Sequence, residues 1–222
     1  MKLLLTSAGV NNPRIRAALD DLLPKPVEEC DALAIPTASY GHSSFAGARR
    51  FVAGSETRLP MVNLGWNSVG LLEVAALPTM DRERWVAAVE AADVLLANGG
   101  DSLYLAHHMR ESGLAELLPT LDAVWVGFSA GSMVMTPRIG DDFKVWEPPG
   151  GGDKALGVVD FAIFPHLDHP DLPENTMADA EKWFAGLDCP AYAIDDDTAI
   201  VWIDGQVEVV SGTGHWKLFD GR

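Results

Sequence analysis

The chain has 222 residues, 48% of them hydrophobic, which is enough for one sizeable core, and its formal net charge is -16. That charge repels polyanions, so it argues against nucleic acid and anionic membrane surfaces as partners and leaves a small molecule or peptide. The two cysteines, Cys30 and Cys189, lie far apart without metal-type spacing, which argues for a reducing compartment and against a disulfide framework or a zinc site.

The first run, MKLLLTSAG, has three consecutive leucines before polar residues and reads as a buried first strand rather than a signal segment. No later run reaches membrane-spanning length, so the expectation is a soluble, cytoplasmic protein, monomeric or homodimeric. Short apolar runs follow at Leu33 to Pro36, Met61 to Leu64, Val94 to Ala97, Val124 to Phe128, Val159 to Phe164 and Tyr192 to Ile194. Helical patterns alternate with them at Pro13 to Leu23, His42 to Val52, Val69 to Ala76, Arg82 to Ala91, Ser102 to Arg110 and Thr176 to Ala185. That alternation predicts one α/β domain over residues 1–222, three-layer α/β/α, with a mostly parallel central sheet covered on both faces. Ala199 to Ile203 and Val207 to Val210, joined by Asp204-Gly205, predict a C-terminal antiparallel β-hairpin at a sheet edge. The Pro/Gly-rich stretch from Glu147 to Asp153 is the candidate mobile loop.

GFSAG, residues 127 to 131, fits the GxSxG pattern, in which small residues flank a serine on a sharp strand-to-helix turn. Ser129 is therefore the candidate nucleophile, and it needs a base and an orienting acid. His166, in FPHLD directly after a predicted strand, is the best-placed base, with His169 second. The acid is sought in and just after TPRIGDDF, where Asp142 is preferred, with Asp141 and the later Glu147 as alternatives. ANGGD, residues 97 to 101, offers the Gly100 N–H as an oxyanion donor beside that of Ala130. The acidic turn Asp195 to Asp197 reads as a solvated hairpin turn, with a substrate's amino group as the weaker alternative.

Together NGGD, GFSAG with Met133 to Pro137, and FPH resemble the peptidase E group of serine peptidases, family S51, on the class I glutamine amidotransferase-like fold. The resemblance covers most of the chain. It implies hydrolysis of dipeptides or short peptides through an acyl-enzyme, without cofactor or metal, with Ser129 as nucleophile, His166 as base, and Gly100 and Ala130 as oxyanion donors. The family's aspartyl dipeptidases carry an arginine in the helical stretch after the histidine. Here LPENTMADAEKWFAG has only Lys182, which leaves a preference for N-terminal aspartate unsupported. The weighed alternatives are an α/β-hydrolase-type esterase, a metal site at HLDH (His166 to His169) and a non-catalytic ligand-binding module on the same fold.

Overall fold

The computed structural model describes residues 1–42, 45–55 and 61–220. In chain order the elements are β1 (Lys2–Thr6), α1 (Pro13–Leu22), β2 (Asp31–Ile35), α2 (Ala38–Gly41), α3 (Phe45–Val52), β3 (Ser68–Leu71), α4 (Arg82–Glu90) and β4 (Val94–Ala97). They continue with α5 (Ser102–Ser112), α6 (Leu114–Leu117), β5 (Val124–Phe128), α7 (Ala130–Met133), β6 (Ala162–Phe164), α8 (Met177–Phe184), β7 (Ala191–Ile194), β8 (Thr198–Ile203), β9 (Gln206–Ser211) and β10 (Trp216–Phe219).

The strands form a seven-stranded sheet in the order β3-β2-β4-β5-β1-β8-β9 and a three-stranded sheet in the order β10-β7-β6. In the large sheet β3, β2, β4, β5 and β1 are parallel, and the β8–β9 hairpin adds to β1 antiparallel. Strand alternation sends residues to two separate cores. Leu3, Leu5, Leu95, Ala97 and Trp125 join the one packed by α4, α5 and α7. Leu4, Val94, Leu96, Val124 and Val126 join the other, with Ile15 and Leu19 of α1 and Phe51 of α3. This is the three-layer α/β/α arrangement. A third cluster joins Ala180 and Trp183 of α8 to Ala162, Phe164 and Ala191 of the small sheet.

Local chemistry sets the helix starts. Asn12 accepts from the amides of Arg14 and Ile15 ahead of Pro13, Asp101 caps α5 by accepting from the Tyr104 amide, and Thr176 and Asp179 form a reciprocal capping box on α8. Among the described residues no helix is long and apolar enough to cross a membrane.

Three expected elements differ. Met61 to Leu64 is not a strand, and the edge strand instead falls at Ser68–Leu71, overlapping the start of the segment read as a helix over Val69 to Ala76. Leu71 is 60% exposed, so this outer strand shows no core-facing periodicity to mark it. The helix expected from His42 is split into α2 and α3, and positions 43 and 44 lie outside the described residues. The hairpin forms as expected, while the three-stranded sheet is an addition that draws on the Val159 to Phe164 and Tyr192 to Ile194 segments.

The segment after the elbow is pinned at its base. Arg138 Nε lies 3.1 Å from both carboxylate oxygens of buried Asp153, which also accepts from the Gly140 amide. Hydrogen bonds to Asp153 and Asp188 hold the Arg138 guanidinium above its ordinary pKa. Removing the arginine strands a mostly buried carboxylate, so Arg138→Leu is expected to lower unfolding stability by about 2 kcal/mol, read as a lower urea midpoint at unchanged slope.

Candidate active site

Three strand ends meet where the chain leaves the sheets. Ser129 is the first residue after β5, His166 the second after β6 and Asp196 the second after β7. β6 and β7 are parallel neighbours with Phe164 opposite Ala193, so residues just past their ends emerge side by side.

Ser129 has φ 50° and ψ -109°, a backbone conformation that costs a non-glycine residue on the order of 1–3 kcal/mol. The surrounding packing holds it there. A Cβ on Gly127 would lie 2.5 Å from the Gly131 carbonyl oxygen, and one on Gly131 would lie 2.3 Å from that of Ala97. The two glycines of GFSAG thus let α7 fold back against β5 and β4, and the Ser129 amide donates to the Thr6 carbonyl at 2.9 Å. A Cβ on Gly99 would lie 3.5 Å from that of Ser129, so the ANGGD turn stands directly against the serine. Gly100 has φ 140° and passes so near the Ala38 carbonyl that a side chain there has no room.

His166 Nε2 lies 3.0 Å from Ser129 Oγ, and its Nδ1 lies 2.6 Å from Asp196 Oδ1. An ionised carboxylate can only accept, so Nδ1 carries the ring hydrogen and Nε2 is left to accept from the Ser129 hydroxyl. The histidine also has a left-handed backbone, with φ 56°. Its ring meets Phe128 edge-on with centroids 6.2 Å apart. The second oxygen of Asp196 lies 3.5 Å from His169 Nε2.

Of the residues singled out from sequence, Ser129 and His166 come together with the ANGGD turn beside them. The expected acid does not join them. Asp141 and Asp142 occupy an exposed 3-10 turn, where Asp141 bonds to Lys144 at 2.9 Å and holds that ammonium above its ordinary pKa. Glu147 is also exposed. The site on His166 Nδ1 is taken by Asp196, from the turn read as solvated, whose neighbour Asp195 is buried and bonded to Thr198 and Thr213. The signal for Asp196 is positional: an acid just past a strand that runs parallel to the histidine's own strand. A second correction concerns the sheet itself, because His166 follows a strand of the three-stranded sheet rather than of the central one. Among the described residues no group of three or more His, Cys, Asp or Glu is placed to hold a metal ion.

The family model for "Peptidase family S51" matches residues 3–210. The chain belongs to peptidase family S51. Relatives named peptidase E include those of Salmonella arizonae, 31% identical over 126 residues, and Shewanella baltica, 32% identical over 145 residues. Those matches cover 54% and 61% of this chain but only 49% and 59% of the relatives, so the chain spans about half to three fifths of their length. A solved Listeria monocytogenes EGD-e structure assigned to peptidase E superposes with a TM-score of 0.70, covering 95% of this chain and 98% of that one at 19% identity. A peptidase from an acI-B1 Actinobacterium gives a TM-score of 0.64 at 22% identity, covering 99% of this chain and 87% of that one. Both superpositions extend over nearly the whole chain, so these structures share the three-layer α/β/α fold described above.

Proposed function

We propose that this S51 chain is a serine peptidase that cleaves dipeptides or short peptides through an acyl-enzyme, with Ser129, His166 and Asp196 as its triad. The observation that carries the reading is His166 bridging Ser129 Oγ and Asp196 Oδ1 while Ser129 stands on a strained elbow. His166 Nε2 takes the proton as Ser129 Oγ attacks the scissile carbonyl, and Asp196 stabilises the imidazolium and fixes its ring. The N–H groups of Ala130 and Gly100 hold the oxyanion. The imidazolium then protonates the leaving amine and, neutral again, activates the water that releases the acyl group.

A short substrate is in keeping with walls set close to the serine. Gly100 lies hard against α2, and Trp146 is fastened to the same glycine turn by its backbone N–H donating to the Asp101 carboxylate at 2.7 Å, its ring packing on Tyr104 and His107. The test is covalent labelling. A fluorophosphonate probe is expected to label the wild-type chain and to leave Ser129→Ala unlabelled, with hydrolysis of a dipeptide panel varied at the first residue lost in the same variant. A wild-type chain that is neither labelled nor active on the panel would sink the peptidase reading.

A further inference from the structure

We propose that the end of β1 and the loop after it position the whole triad, through Thr6, Ser7 and Asn11; this rests on the assignment of Ser129, His166 and Asp196 given above. The three members arrive from three strands in two different sheets, so no single ladder fixes their relative placement. The end of β1 and the residues after it bond to all three.

The Thr6 carbonyl accepts from the Ser129 amide at 2.9 Å, and the Thr6 hydroxyl donates to the Gly127 carbonyl at 2.7 Å, which ties the elbow to β1 from both sides. Ser7, fully buried, uses both capacities of its hydroxyl. It accepts from the His166 amide at 3.1 Å and donates to the Ile194 carbonyl at 3.1 Å, two residues before Asp196. Asn11 Nδ2 donates to the carbonyl of Asp196 itself at 2.7 Å. One short stretch, TSAGVN, therefore holds nucleophile, base and acid by their backbones and touches none of their reacting atoms.

The bonds act where the backbone has least reason to stay. His166 has φ 56° and the β6–β7 ladder has already ended at Phe164 and Ala193, so the His166 amide relies on a side chain rather than a strand partner. A misplacement of about 1 Å in such a constellation is enough to lower turnover on the order of 100-fold. Ser7 and Asn11 are positioning residues for the reaction, since they act only through His166 and Asp196.

Ser7→Ala removes the acceptor of the His166 amide, while the Ile194 carbonyl keeps the Leu167 amide as a donor, and it changes a fully buried position; Asn11 is only partly buried, and Asn11→Ala removes a tether at small structural risk. Both variants are expected to lower kcat about tenfold to 100-fold with KM within about twofold, the pattern of lost transition-state geometry rather than lost binding. Fluorophosphonate labelling of Ser129 should slow in parallel. A readout independent of turnover is the low-field proton resonance of His166 Nδ1–H, assigned by its loss in Asp196→Asn, which should move or broaden in both variants. Wild-type kcat and an unshifted resonance in Asn11→Ala, or in a folded Ser7→Ala, would overturn the proposal. If the wild-type chain proves neither labelled nor active, the peptidase reading fails by itself, and the resonance still decides whether these residues set the His166–Asp196 pair.

Discussion

Asp196→Asn is expected to lower kcat on a dipeptide substrate by about 10,000-fold while KM stays near the wild-type value. The size of the loss follows from the tautomer. With Asp196 ionised and 2.6 Å from Nδ1, the ring hydrogen sits on Nδ1 and Nε2 can accept the Ser129 proton. Asparagine of the same shape can donate its amide hydrogen to Nδ1, which moves the ring hydrogen to Nε2 and blocks proton transfer from Ser129. Asp141→Asn and Asp142→Asn should retain wild-type activity, because the first carboxylate pairs with Lys144 and both stand on an exposed turn. Loss of activity in Asp142→Asn with retention in Asp196→Asn would reverse the assignment.

The second large effect falls on stability. Gly131→Ala adds a methyl group 2.3 Å from the Ala97 carbonyl oxygen, and the obstacle is the backbone of a fully buried strand, which has no flexible end to move aside. Overpacking of this kind costs about 3 kcal/mol. For a chain of this size that corresponds to a fall in Tm of about 6–12 °C, measured by circular dichroism. Gly150→Ala is the converse case: Gly150 has φ 93° where Gly131 is helical, but nothing lies within 4 Å of the added carbon, so only backbone strain of about 1 kcal/mol is expected. Equal midpoints for the two variants would show that close approach at the elbow is not what demands glycine.

The central sheet was readable because its strands are covered on both faces. Continuous apolar runs such as Val94 to Ala97 and Val124 to Phe128 leave little room for another reading, and Asn12, Asp81 and Asp101 mark helix starts by their own side chains. The outer strand at Ser68–Leu71 was hidden by its exposure, and the small sheet by the shortness of β6, only Ala162–Phe164. At the site, Ser129, His166 and the glycine turn were legible because each follows its strand directly and carries a distinctive residue type.

Asp196 was not legible as the partner of His166 for a reason of connectivity. Asp142 is near the elbow in sequence, and sequence nearness was the available guide, whereas Asp196 becomes a neighbour of His166 only once β6 and β7 are known to pair in parallel. The three consecutive aspartates also look alike in sequence and have different fates. Asp195 is buried under Thr198 and Thr213, while Asp196 turns its carboxylate to the histidine and its carbonyl to Asn11. Ser7 carried no mark at all, because its part depends on two strand ends far away in the chain.

The turn bearing Asp196 is also the point at which the chain passes from the three-stranded sheet into the seven-stranded one, from β7 to β8. Ser129 and His166 therefore leave strands of different sheets, which share a core through Ile163 and Ile194, and Asp196 sits on the turn that joins those sheets. A local opening that separated the two sheets would break the contact between His166 Nε2 and Ser129 Oγ. For the proposed peptidase, turnover is expected to depend on how the two sheets pack together, so agents that loosen that packing should inhibit without occupying the substrate crevice.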